Sequence, residues 1–227
     1  SGATGHGKTV TAVALLDHIA RTRESTILTL EDPIEFIFEN HRSLFIQREV
    51  GMHVQSFAEG VRSALRENID VIFVGEMREP ETIDQVLKAS EMGHLVISTI
   101  HADDTISTLG RVMGSMPAKD QARIRYTLSA GLGAVIYQKL LPSTTRGKRK
   151  LCAEVTFPTG AIRTVIRSGD LTKLGTYLGM PGSGATFHDH LKDLANAGHI
   201  TTQIWEKEST ELQMRSGSVR RNTEENL

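Results

Sequence analysis

No apolar run in these 227 residues approaches the roughly 20 needed to cross a bilayer. Residues 1–5 do not form a basic-then-apolar leader either. The chain is therefore expected to be cytoplasmic, with any attachment to a membrane made through partners. Its single cysteine, Cys152, excludes an internal disulfide and fits a reducing compartment. Aromatics make up 5% of the residues, too few for a base-stacking surface, and a net charge of -1 gives no global field toward nucleic acid. No direct nucleic-acid partner is expected, and the basic group Arg146, Lys148, Arg149 and Lys150 reads as a solvated loop. Neither His94 nor His101 pairs with Cys or another His at zinc spacing, so metal binding by them is not expected. An initiating Met is also missing: functional-looking sequence begins at Gly2, and the chain reads as an N-terminally truncated fragment.

What is present suffices for a core. Apolar residues at 39% and charged residues at 23% place the chain in the globular class, with length for one large domain and an appendage. Residues 8–21 read as a helix with Val13, Leu16 and Ala20 on one face, after a glycine-rich start. Residues 26–30 read as a strand closed by Glu31-Asp32-Pro33, and 43–48 as a second strand. Phe57, Val61 and Leu65 mark an amphipathic helix. Val71-Ile72-Phe73-Val74 is an unbroken apolar run, as in a strand buried on both faces. Ile83, Val86 and Leu87 mark another helix, and residues 95–100 another strand. The alternation predicts an α/β fold with a mostly parallel sheet. Residues 142–150 read as an exposed loop or hairpin and 151–157 as a returning strand. From Ala161 the pattern is helical, with a break at Pro181-Gly182-Ser183-Gly184. The expected division is 1–158 as the core, 159–205 as a small C-terminal helical region, and 206–227 as a flexible polar tail.

Gly2-Ala3-Thr4-Gly5-His6-Gly7-Lys8-Thr9 satisfies the pattern G-x-x-x-x-G-K-S/T at every required position. Glycines let the backbone curl until successive N–H groups face phosphate oxygens, and the following helix adds its positive end. Lys8 is placed to reach the β- and γ-phosphates of ATP, and the Thr9 hydroxyl to ligate Mg²⁺.

Hydrolysis also needs a carboxylate on the metal and a group that orients or deprotonates water. Two strand ends offer them, at the sheet edge where ligands of open parallel sheets bind. One is Glu31-Asp32-Pro33-Ile34-Glu35; the other is Gly75-Glu76 after the run at 71–74, where an ordinary second motif would place Asp directly. Glu35 and Glu76 are the candidate site acids, while Glu31 and Asp32 stand between supporting that site and closing the turn. His94 and His101 flank the strand at 95–100. Each reads either as a reporter of the γ-phosphate or as a strand-end histidine bonded to backbone.

The ordered segments GATGHGKT, TLEDPIEF, QREVG, RSALRENIDVIFVGEMREPET, GHLVISTIHADD and AIRTVIR resemble the type II/IV secretion ATPase superfamily, and within it the PilT-type pilus retraction ATPases. The resemblance covers about residues 2–200 and implies a RecA-like P-loop core. It implies an Mg²⁺-dependent ATPase that powers type IV pilus retraction, working as a homohexamer on an inner-membrane platform protein. Glu35 is implied as catalytic base, Glu76 as the Mg²⁺-associated acid, and His101 as γ-phosphate sensor with His94 nearby. Residues 161–167 match the A-I-R-x-L-I-R segment linked to retraction, with Val165 for Leu. His6 replaces the usual small Ser and Ala3 the usual Pro, positions expected to tolerate change because backbone makes the phosphate cradle. The family's N-terminal PAS-like domain and the strand before the loop are not in this sequence. The alternatives are a related conjugative or secretion ATPase, a pilus assembly ATPase, or a non-catalytic subunit. The assembly type usually carries paired cysteines, against which the lone Cys152 counts.

Overall fold

The computed structural model describes residues 1–224. The chain forms two compact units, one of residues 7–100 and 112–131, the other of residues 1–6, 101–111 and 132–227.

In the first unit, helix α1 (Lys8–Thr22) leads to strand β1 (Thr26–Glu31), strand β2 (Leu44–Glu49), helix α2 (Phe57–Ala64), strand β3 (Val71–Val74), helix α3 (Pro80–Glu91) and strand β4 (Leu95–Ser98). The four strands are parallel in the order β2-β1-β3-β4. Helix α4 (Thr105–Gly114) ends in this unit, and helix α5 (Gln121–Gly131) completes it. Period-2 alternation splits the central strands between two cores. Leu28, Leu30, Ile72 and Val74 pack with Val61 and Val86, whereas Ile27, Val71 and Phe73 pack with Ala12, Leu16 and Ala20 of α1. With both of its faces covered, β3 is apolar throughout, which is why the run at 71–74 is unbroken. Ser56 starts α2 by accepting from the Glu59 amide at 3.2 Å, and Glu59 reaches back to the Gln55 amide at 2.7 Å. Asp84 on α3 takes Arg123 of α5 and Lys88 of its own helix as partners. Those hydrogen bonds hold its carboxyl below the usual range against the opposing effect of burial.

The second unit is built on an antiparallel hairpin of strand β5 (Val135–Pro142) and strand β6 (Arg149–Thr156), with the short strand β7 (Gly184–Ala185) beside β6. Helix α6 (Gly160–Ser168) follows, capped by Thr159 and ended by Gly169 at φ 82°. Ile162, Val165 and Ile166 of α6 are buried. The apolar face expected of residues 161–167 is therefore internal, and Ala161, Thr164 and Arg167 are the exposed positions of that segment. Helix α7 (Phe187–Asn196) and helix α8 (Thr202–Glu224) close the unit. Tyr137, Leu141 and Cys152 of the hairpin share one core with Phe187, Leu191, Leu194 and Ile200. Burial pushes the Cys152 thiol up to about 12, so it acts as a small apolar residue. Burial would lower Lys139, but hydrogen bonds from it to Glu208 and Glu211 outweigh this and hold its ammonium above the ordinary value. Those contacts anchor α8 at Glu208 and Glu211, within the stretch 206–224 that, read from sequence as a polar tail, here continues α8. Residues 225–227 of the expected tail lie outside the described residues.

Glu154 on β6 is buried, and its Oε1 accepts from the Thr105 amide at the start of α4 at 3.1 Å. Burial raises its carboxyl above the ordinary value of 4.5, with Asp104 adding and the Thr105 hydrogen bonds opposing. A carboxyl raised on folding binds its proton more tightly in the folded state, so stability falls as pH climbs from the ordinary value through the folded one. Chemical denaturation across that window should therefore show wild type losing stability relative to Glu154→Gln as pH rises. Parallel curves for the two proteins would contradict this.

Candidate functional site

The N-terminal loop is shaped by its glycines. Gly5 and Gly7 adopt the left-handed backbone at φ 78° and 80°, which turns the chain into α1. Gly2, at φ 140°, passes so close to β5 that a Cβ would lie 2.5 Å from the Gln138 carbonyl oxygen. Residues 1–6 are stitched to the hairpin. The Gln138 amide donates to the Ser1 carbonyl at 3.1 Å, and its side-chain Nε2 donates to the His6 carbonyl at 2.7 Å. Arg149 Nη1 donates to the Gly5 carbonyl at 3.1 Å, so one charge of the group read as a solvated loop has a structural partner. His6 is not a neutral replacement for a small residue. Its Nδ1 accepts from the Leu140 amide at 2.9 Å, which requires that nitrogen to be unprotonated.

From Gly7 the loop runs into α1, whose N-terminus carries no side-chain cap and no acid in its first turn. By contrast α2, α6 and α7 each have a capping hydroxyl. A helix N-terminus with no capping side chain, entered through left-handed glycines, suits a phosphate group. Lys8, the first residue of α1, is half-buried. Burial lowers its ammonium below the ordinary lysine value, Glu76 opposes this, and Arg78 adds to it.

Glu76 reaches that neighbourhood from the tip of β3. Gly75 donates to the Leu30 carbonyl at 2.8 Å, and a Cβ at Gly75 would stand 3.2 Å from that oxygen and 3.6 Å from the Glu31 Cα. The tip is held from the other side by Thr99, whose hydroxyl donates to the Gly75 carbonyl at 2.6 Å and whose carbonyl accepts from the Met77 amide at 2.9 Å. The Gly where an ordinary motif has Asp therefore sits at a tight backbone approach, and the acid stands one residue on. Glu76 is ion-paired with Arg78 at 2.7 Å, and Asp32 is near enough to Arg78 to raise that guanidinium.

Glu31 is buried, and its Oε1 accepts from the Thr29 hydroxyl at 2.7 Å and from Gln47 Nε2 at 3.4 Å. Glu35 is exposed on the non-helical stretch that joins β1 to β2. The structure thus brings Glu76 and Arg78 near Lys8, and Asp32 near Arg78, with Glu35 on the segment leaving the β1 tip. His101 belongs to the other unit, half-buried, with its carbonyl accepting from Arg111 Nη1 at 2.7 Å. His94 takes the backbone-bonded reading, its Nδ1–H donating to the Ile69 carbonyl at 2.8 Å. Gln138, Arg149 and Gln47 escape a reading of the sequence because a lone polar residue bonded to backbone leaves no pattern. Among the described residues no group of three His, Cys, Asp or Glu forms a metal cage.

Residues 1–176 match the family described as type II/IV secretion system protein. The chain belongs to that family. This secretion-family chain is 40% identical over 205 residues to the twitching motility protein of Neisseria gonorrhoeae, across 89% of its own length and 55% of that protein's. It is 42% identical over 183 residues to the type IV pilus retractation ATPase PilT of Pseudomonas aeruginosa, across 81% and 53% of the two chains. Its fold matches a crystal structure of the pilus retraction motor PilT with bound ADP at a TM-score of 0.85 and 40% identity, over 91% of this chain and 59% of that one. The secretion-family chain spans about half the length of the curated relatives it matches.

The His6 contact is testable in this secretion-family protein by equilibrium unfolding. His6→Ala removes the acceptor for the Leu140 amide and should lower stability by about 1 kcal/mol. His6→Asn, which keeps an acceptor oxygen in that place, should recover most of the loss; two variants as stable as wild type would count against the contact.

Proposed function

We propose that this chain is the ATP-hydrolysing part of a motor that powers type IV pilus retraction. The observation that carries the proposal is the meeting of Lys8, at the uncapped start of α1, with Glu76 at the tip of β3. In this reading residues 2–9 wrap the phosphates with backbone amides, and Lys8 neutralises charge on the β- and γ-phosphates. Partial burial keeps water from screening that charge. The Thr9 hydroxyl and the Glu76 carboxylate would hold Mg²⁺, which when bound supplies Lewis-acid polarisation of the phosphate oxygens. Glu35 takes a proton from the attacking water. His101 donates to the γ-phosphate and so distinguishes ATP from ADP. All of these residues lie within 1–158, the stretch assigned to the core.

The retraction reading is supported by the two named relatives at 40% and 42% identity. A homohexameric assembly, an inner-membrane platform protein as partner and a cytoplasmic position at that membrane are parts of the same proposal. Among the described residues no helix is long and apolar enough to cross a membrane. The family description, which names secretion systems, keeps a secretion motor as the second reading.

Nucleotide titration and steady-state hydrolysis separate the assigned roles. Lys8→Ala should lose ATP and ADP affinity by at least about tenfold, since a charge-assisted contact with phosphate is removed. Glu35→Gln should bind ATP as tightly as wild type while its turnover falls by about 10²-fold or more. Undiminished affinity in the first variant would remove the phosphate loop; undiminished turnover in the second would remove Glu35 as the base.

A further inference from the structure

We propose that Gln47 and Glu49, neighbours on one face of β2, are positioning residues that hold the segment carrying Glu35. The inference rests on the reading of Glu35 as the base. Residues 33–40 have no regular secondary structure, so a general base there has no helix or strand of its own to fix it. β2 supplies the fixing through side chains. Gln47 Oε1 accepts from the Phe38 amide at 3.0 Å, and Gln47 Nε2 donates to the Phe36 carbonyl at 2.8 Å. One side-chain amide thereby offers the donor and acceptor that a neighbouring strand would present. Two residues along, Glu49 Oε2 accepts from the Ile34 amide at 3.0 Å. The anchors fall on Ile34, Phe36 and Phe38, so the backbone is tied on both sides of Glu35 while the Glu35 side chain stays exposed.

The clamp is itself braced. Parallel pairing sets Thr29 beside Gln47 and Glu31 beside Glu49, so the four side chains share one face of the sheet. Glu31 Oε1 accepts from Thr29 at 2.7 Å and from Gln47 Nε2 at 3.4 Å. The Phe36 carbonyl can only accept and the Phe38 amide can only donate, which fixes the nitrogen end of the Gln47 amide and leaves its oxygen on Phe38. At the far end Phe38 stacks on Phe45 of β2, with ring centroids 4.4 Å apart and planes within 10°. At the near end the Glu49 amide donates to His53 Nδ1 at 3.0 Å. Buried Glu31 thus lies against the nitrogen end of the amide that holds the base segment.

Two measurements on the full chain decide the matter. By amide hydrogen exchange, Phe38 and Ile34 should be protected in wild type. Gln47→Ala should speed exchange at Phe38 while sparing Ile34, and Glu49→Ala should do the reverse. In hydrolysis assays with Mg²⁺ and ATP, Gln47→Ala should lower kcat by about 10- to 10²-fold, the scale of a 1 Å misplacement, with ATP affinity within about twofold of wild type. Glu49→Gln, which keeps an acceptor oxygen, should restore most of the kcat lost in Glu49→Ala. Added to Glu35→Gln, Gln47→Ala should lower kcat no further, because it acts through the same residue. An unprotected Phe38 amide in wild type, a Gln47→Ala kcat within about twofold of wild type, or an additive loss on top of Glu35→Gln would overturn the proposal. If Glu35→Gln alone keeps full turnover, the base assignment falls and takes the catalytic part of the clamp with it. If Glu35→Gln is inactive and Gln47→Ala is not, only the clamp falls.

Discussion

At their C-terminal ends β1 and β3 come together closely: the Gly75 amide donates to the Leu30 carbonyl at 2.8 Å, and a methyl group at Gly75 would crowd that oxygen at 3.2 Å. The parallel register, with Leu30 opposite Val74, makes the two strands end side by side. Whatever follows each strand must then share one small region. Glu31, Asp32 and Glu35 follow β1 or end it, and Glu76 follows β3. The apolar cores on both sheet faces keep the strands in that register, since a one-residue slip would turn Leu28, Leu30, Ile72 and Val74 away from their partners. Packing in the sheet is thus the physical reason that Glu76 stands near Lys8 and Asp32 near Arg78.

Much of this is legible in the sequence because burial leaves a pattern. The run at 71–74 coincides with β3, since both of its faces are covered and no polar residue is tolerated. The glycine-rich start, α1, β1 and α2 are readable for similar reasons: left-handed turns need glycine, and one-sided helices need period-3.6 apolar residues. β5 is not legible in the same way. It carries Gln138 and Lys139, whose polar ends are satisfied by His6, Glu208 and Glu211, so it lacks the alternation that marks a strand. α5 hides for a related reason, since Thr127 and Ser129 are among its buried residues and dilute the apolar stripe.

The candidate site divides along the same line. Residues that chemistry restricts to one type, such as the loop glycines, Lys8 and the strand-end acids, announce themselves. Residues that act by bonding backbone do not. Gln47, Gln138 and Arg149 are polar side chains in unremarkable places until the structure shows the carbonyls and amides they hold. His6 is the sharpest case. Read as a tolerated change in a loop made by backbone, it instead ties that loop to β5 through a ring nitrogen. Membership of the type II/IV secretion family sets the frame, and these contacts are where this chain fills it with its own residues.

The meeting of Lys8 with the strand-end acids around a nucleotide is best probed by a crystal structure of the chain grown with a non-hydrolysable ATP analogue and Mg²⁺. The expected result is phosphate oxygens within about 3 Å of the backbone amides of residues 5–9 and of Lys8 Nζ, with the metal on Thr9 Oγ1 and on the side of Glu76. A nucleotide seated elsewhere, with no phosphate against the loop or Lys8, would contradict it.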